Sequence, residues 1–261
     1  MNPTGILGLL LVILSFGLIV IIAAAGRNLP GRQLREIAAF TRLRRAVSLA
    51  VEVGSRLHVS LGRGNLIDVQ NAAALTGLVI ADRIARAASV SDRPPVATTG
   101  EGSLGVLAQD TLKSVYRTLG VESQYDPASA QVTGLTPYSY AAGCLPVIQD
   151  GQVSMSLLSG HFGGEAALIA EAAERSAGLV IGGSDNLPGQ AVLFAVAQEP
   201  LIGEEVFAGG AYLGAGVIHE SSLRMQDILR WLLVIVIILG AIFQFAGLDQ
   251  LIDTMFEGFQ P

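Results

Sequence analysis

Long apolar runs stand near both ends of the chain, with a mixed pattern between them. Ile6 to Ala25 is twenty residues without a charge, enough for a helix to cross a hydrocarbon layer of about 30 Å. A cleaved signal peptide competes for this run, with Ala23, Ala24 and Ala25 as a small-residue cleavage site. Met1 to Gly5 lacks a basic n-region, and the run exceeds the roughly 7–15 residues of a usual h-region, so a retained anchor is expected. The second run extends from about Trp231 to Leu248, with Trp231 as an interface anchor. A helical stretch from about Ser221 leads straight into it.

The intervening pattern changes period repeatedly. Gly31 to Gly54 reads as a helix, with Leu34, Ile37, Leu43, Val47 and Val51 at helical spacing. Short β-branched runs follow at Leu57–Leu61, Val96–Thr99, Gln131–Leu135, Val153–Leu158, Leu179–Ile181 and Ala191–Ala197. Helical stretches separate most of them, at Asp68–Ala88, Ser103–Leu119, Tyr138–Ile148 and Glu165–Ala177. Such alternation predicts parallel strands joined by right-handed helical crossovers. The expected fold is α/β, an open, mostly parallel doubly wound (Rossmann-like) sheet inserted between two transmembrane helices. The expected domains are a transmembrane helix at 1–26, a cytoplasmic α/β domain at 27–227, a second transmembrane helix at 228–248 and a short acidic extracytoplasmic tail at 249–261.

Arginine placement sets the expected orientation. Arg27, Arg32, Arg35, Arg42, Arg44 and Arg45 follow the first run, and Arg224 and Arg230 precede the second. The outer flanks carry no Lys or Arg, and the last holds Asp249, Asp253 and Glu257. The positive-inside rule then puts the domain on the cytoplasmic side of the inner membrane, with both termini outside and the lipid bilayer as a partner. The arginines of the first helix have two readings, an anionic-lipid clamp or a topology signal on a solvated face. Neither run contains an ionisable residue or GxxxG, so both read as anchors, not as an ion pathway or a close dimer seam.

Composition narrows the function classes. A net charge of −6 gives no electrostatic footprint for nucleic acid. Cys144 is the single cysteine, which excludes an internal disulfide and a CxxC metal site. There is no GxxxxGK[ST], and the one lysine, Lys113, falls inside a predicted helix, which argues against a P-loop NTPase. HExxH and GxSxG are absent as well. The small residues Gly209, Gly210, Gly214 and Gly216 would permit close packing between copies, which leaves a homo-oligomer open.

Two constellations carry candidate chemistry. Gly100-Glu101-Gly102-Ser103-Leu104-Gly105 matches GxGxxG between a predicted strand and helix, where Gly100, Glu101, Gly102 and Gly105 could form a pyrophosphate-binding turn. Glu122 or Asp126 would be its ribose acid. A Gly-rich turn without a cofactor is the plainer reading, since Glu101 places a negative charge beside any phosphate. The second constellation is positional, because ligands of open α/β sheets bind outside the carboxyl ends of the strands. Those ends bring Gly62-Arg63-Gly64-Asn65, Thr99-Gly100-Glu101, Ser159 to Glu165 and Gly182-Gly183-Ser184-Asp185-Asn186 to one edge. His161 and Glu165 are the expected acid/base pair there, oriented by Asp185, with Gly62, Gly64, Asn65 and Ser184 contributing to ligand binding. Against this, Ser184 or Asp185 can serve only as a cap and His161 only as a packed loop residue. No metal ligand spacing is present, although His161, Glu165 and Asp185 together could hold one ion weakly. His58 reads as a satisfied structural histidine and Cys144 as a packed thiol.

Several segments resemble a known family. They are Leu57-His58-Val59-Ser60-Leu61-Gly62, Val90-Ser91-Asp92-Arg93-Pro94-Pro95, Gly160-His161-Phe162-Gly163, Pro200-Leu201-Ile202-Gly203-Glu204-Glu205, Ala211-Tyr212-Leu213-Gly214 and Leu229-Arg230-Trp231. Together they are similar to an uncharacterised family of prokaryotic membrane proteins, domain-of-unknown-function family 6754. The resemblance covers nearly the whole chain and implies the same architecture, but no activity. Two functions remain open. One is a membrane-tethered domain that binds a small anionic ligand or serves as an assembly platform. The other is an enzyme at the membrane face that uses His161 and Glu165 with a nucleotide or dinucleotide.

Overall fold

A computed structural model describes residues 3–26, 34–67, 72–89 and 91–245. The helices are α1 (Pro3–Gly26), α2 (Ala38–Val53), α3 (Ala72–Ala87), α4 (Gly102–Thr118), α5 (Pro137–Gln149), α6 (Ala166–Arg175), α7 (Leu187–Val196), α8 (Gly209–Tyr212) and α9 (Val217–Phe245). The strands are β1 (Arg56–Gly62), β2 (Val96–Thr99), β3 (Ala130–Val132), β4 (Val153–His161), β5 (Leu179–Ser184) and β6 (Glu199–Leu201). The chain divides into two compact units, Leu34–Ala215 on one hand and Met1–Gln33 with Gly216–Pro261 on the other.

The first unit is a six-stranded, all-parallel sheet in the order β3-β2-β1-β4-β5-β6. That order is the doubly wound arrangement of dinucleotide-binding sheets. Helices α2, α3 and α4 pack as one layer, and α5, α6 and α7 as another. Strands covered on both faces need apolar or small residues throughout, and β2 is buried along its whole length while β1 and β4 are buried nearly so. The helices supply the remaining cover through single stripes. In α2 the buried stripe is Ala39, Phe40, Leu43, Val47 and Ala50, and Gly54 in the left-handed region ends the helix. Helix α5 opens with a capping box between Thr136 and Ser139 and has Pro137 at its first position. Tyr140, Ile148, Leu158, Phe162, Ile169 and Val180 fill the core on that side.

Most predicted elements are present, with shifted bounds. The predicted strand Ala191–Ala197 is not a strand; it forms the second half of α7 and its C-cap, Ala197, and the edge strand β6 follows at Glu199–Leu201. The reason is local. Asn186 stands at the N-cap and Pro188 in the first turn, a helix start, and an apolar run of this length satisfies either period. The third strand is Ala130–Val132, ending three residues before the predicted limit at Leu135. Strands β4 and β5 run three residues further than expected, so Gly160, His161, Gly183 and Ser184 belong to the ladder. Of the predicted helix Asp68–Ala88, positions 68–71 lie outside the described residues, as do Arg27, Arg32, Val90 and everything beyond Phe245.

The second unit contains α1 and α9. Gly5–Ala25 has a mean hydropathy of 3.1 and the apolar window of Val217–Phe245 one of 2.5, and neither window is buried in the protein. Both helices are long and apolar enough to cross a membrane.

Candidate functional site

In this strand order the chain leaves β1 toward β2 and leaves β4 toward β5, so the connections diverge and open a crevice at the carboxyl ends of β1 and β4. Gly62 and His161 are paired neighbours at that opening. Gly62 has φ +68°, and a Cβ there would lie 2.6 Å from the His161 carbonyl oxygen, so both conformation and space require glycine.

Arg63 follows directly. Its backbone N–H donates to the His161 carbonyl at 3.1 Å. Its side chain crosses Gly100, where a Cβ would stand 2.3 Å from Arg63 Cγ. Arg63 Nε donates to Glu165 Oε1 at 3.1 Å. Glu165 is only 3% exposed, and the Arg63 guanidinium is the cation that faces it there. Nε is the only guanidinium nitrogen of Arg63 that makes a hydrogen bond among the described residues. Asn65 closes a short turn by accepting from the Ile67 N–H at 3.2 Å, and Gly64 before it is buried.

A second pair stands on the other side of the opening. His161 Nδ1 lies 2.8 Å from Asp185 Oδ1, with side chains 19% and 12% exposed. A carboxylate only accepts, so Nδ1 donates this bond and Nε2 is the ring nitrogen left facing outward from it. Nε2 has no hydrogen-bond partner among the described residues, and Asp185 Oδ2 is buried without one. The structure thus couples His161 to Asp185 and Glu165 to Arg63, and the expected His161–Glu165 pair is not formed. Among the described residues no group of three His, Cys, Asp or Glu is arranged to hold a metal ion.

Ser184 is fully buried and ties two loops together. Its oxygen accepts from the N–H groups of Phe162 at 3.1 Å and Asn186 at 3.2 Å, while Asn186 Nδ2 donates to the Phe162 carbonyl at 3.2 Å. It therefore fixes the β4 and β5 ends. The GxGxxG turn has the geometry of the plainer of its two readings. It follows β2, not β1, and Glu101 N-caps α4, accepting from the Leu104 N–H at 2.8 Å and from the Ser103 hydroxyl. Burial raises the Glu101 pKa, but bonds from Ser103 and from the N–H groups of Leu104, Ser103 and Gly102 outweigh it and hold the group below its ordinary value. The helix terminus that would receive a pyrophosphate is filled by the chain's own carboxylate. Gly105 lets α4 approach Val132 closely, and Gly102 faces open space. Asp126 caps a short 3₁₀ turn through the Ala128 N–H, and Glu122 begins another.

Beneath the crevice runs a buried polar network. His58 bonds Thr98 Oγ1 at 2.8 Å through Nε2 and Ser156 Oγ at 3.2 Å through Nδ1. Tyr140 Oη meets Ser60 Oγ at 2.6 Å and receives the Gly62 N–H at 3.3 Å. The Cys144 thiol donates to Thr98 Oγ1 at 3.4 Å. Burial lowers the His58 pKa to about 4, and burial raises those of Tyr140 and Cys144. Neither Arg63 nor Tyr140 was singled out by sequence reasoning. For Arg63 a signal existed, since it is the one cation in the strand-end segments Gly62–Asn65, Ser159–Glu165 and Gly182–Asn186.

The sequence matches the family model described as "Domain of unknown function (DUF6754)" over residues 3–255. Searches of curated proteins and of solved structures found no match.

Proposed function

The chain belongs to the DUF6754 family, a domain of unknown function, and from that premise we propose that its α/β unit binds one small anionic ligand in the crevice between β1 and β4. The observation that carries this reading is Arg63, a partly buried cation at the switch point of the sheet with a single guanidinium nitrogen engaged. Planar guanidinium donors suit carboxylate and phosphate oxygens. An incoming anion would share Arg63 with Glu165, and His161 Nε2 would offer a polar edge beside it. The apolar helices anchor the unit in the inner membrane, and the arginine asymmetry favours a cytoplasmic crevice with both termini outside.

The His161–Asp185 contact favours a second reading, an enzyme. A carboxylate on Nδ1 holds the ring in one tautomer and leaves Nε2 as a base, the arrangement used for general acid/base work. In that case Glu165 keeps Arg63 in place and takes no proton. Calorimetry on the full chain in detergent, titrated with inorganic phosphate, mononucleotides and dinucleotides, tests both readings. Binding by at least one probe that Arg63→Gln abolishes supports the site. Failure of all probes, or binding indifferent to Arg63→Gln, removes the proposal.

A further inference from the structure

A cavity of about 430 Å³ lies at the opposite edge of the sheet, between α2 and the amino ends of β4 and β5. Arg42, Arg45, Ala46 and Leu49 line it from α2, with Ser154 and Leu179 from the strands. Its size falls in the range of small-molecule sites, roughly 300–1,000 Å³. Positions 42, 45, 46 and 49 share one helix face, distinct from the stripe that α2 buries in the core. Charge and apolarity are ordered along that face. The arginines come first, then Leu49, 52% exposed, and Val53, 77% exposed. Arg42 is already paired with Glu199 at 2.8 Å. Arg45 is exposed and makes no ion pair or hydrogen bond among the described residues. No acid lines the cavity among the described residues.

A merely solvated arginine face would need neither a concave floor nor apolar side chains continuing from it. We infer that this cavity binds an anionic amphiphile, its carboxylate or phosphate on Arg45 and its alkyl body against Ala46, Leu49 and Leu179. Ser154 is held at the floor by the Ser55 hydroxyl at 2.7 Å and gives the head a polar neighbour. Such a ligand can be a bilayer phospholipid or a free acyl anion, which share this chemistry. The inference stands apart from the crevice, because it uses the other end of the strands and none of the same side chains.

The test is photolabelling of the full chain in a zwitterionic detergent with a diazirine-bearing fatty acid, the adducts mapped by peptide mass spectrometry. Adducts are expected on residues 42–53 and 177–179, competed by palmitate but not by hexadecanol. Loss of the charge-assisted contact in Arg45→Gln should lower labelling about tenfold. Arg45→Lys should retain most of it, and Arg44→Gln should leave it unchanged, since Arg44 bonds the Tyr212 carbonyl instead. A diazirine phosphatidylglycerol in nanodiscs separates the sources. Label from it supports a bilayer lipid, and label from the free acid alone supports a soluble acyl anion. Adducts confined to α1 and α9, equal competition by hexadecanol, or equal labelling of wild type and Arg45→Gln would overturn the inference.

Discussion

His58 makes the stability of the α/β unit depend on pH in a calculable way. The ring is fully buried and bonded to Ser156 of β4 and Thr98 of β2, and Tyr140 and Cys144 of α5 bond that same threonine; none of these groups is charged at neutral or acid pH. Burial depresses its pKa from 6.5 to about 4. Above pH 6.5 the ring is neutral whether the chain is folded or not, and the group makes no pH-dependent contribution. Between pH 6.5 and about 4 the unfolded chain binds a proton that the folded one refuses, so stability falls with pH. Each tenfold difference in proton affinity between the two states is worth about 1.4 kcal/mol. The full loss is therefore about 3 kcal/mol, complete once the folded form titrates as well. The assay is urea unfolding of the full chain in non-ionic detergent, read by tyrosine near-ultraviolet circular dichroism. All five tyrosines lie between positions 116 and 212, so the signal reports on this unit. His58→Gln cancels the contributions of carboxylates and the other histidines when subtracted from wild type. The wild-type advantage over this variant should shrink by about 2 to 3 kcal/mol between pH 7.5 and 4.5. A difference that stays constant over that range refutes the argument.

Three further outcomes follow from the same geometry. Tyr140→Phe should cost about 1–3 kcal/mol, because it strands Ser60 Oγ and the Gly62 N–H in the interior, and Gly62 amide exchange should speed up. Gly62→Ala should cost about 2 kcal/mol or more, from a left-handed φ and a clash with the His161 carbonyl, measured by the same unfolding assay. Arg63→Ala should cost about 2–3 kcal/mol, below the value for a fully buried pair because Arg63 is 23% exposed, and adding Glu165→Gln should restore much of it.

Much of the architecture was legible in the chain because parallel strands covered on both faces must be short apolar runs separated by helical ones. Arg56–Gly62, Val96–Thr99 and Val153–His161 fall where the period changes, and so do the helices between them. The failure at Ala191–Ala197 has a physical basis, since an apolar run of that length carries no period of its own and the Asn186–Pro188 start decided for a helix. Strand order is set by tertiary pairing, and no local pattern encodes it. For the same reason the site was only partly visible. His161 and Asp185 could be placed at one edge from strand ends alone, but the partner of Glu165 depends on β1 and β4 being neighbours, which the chain does not announce. The GxGxxG match was legible as a Gly-rich turn, because the acid inside it, Glu101, was visible beside any phosphate. Glu101 capping α4 is a contact of three residues' reach, readable in principle from a Glu before Gly102-Ser103-Leu104.

The most direct test of the crevice is hydrogen–deuterium exchange on the full chain in detergent, with and without a saturating anion identified by calorimetry. The account predicts slowed exchange in the segments around Gly62–Ile67, His161–Glu165 and Ser184–Asn186, and no such slowing in Arg63→Gln at the same concentration. Protection that falls elsewhere while these three segments exchange unchanged would contradict it.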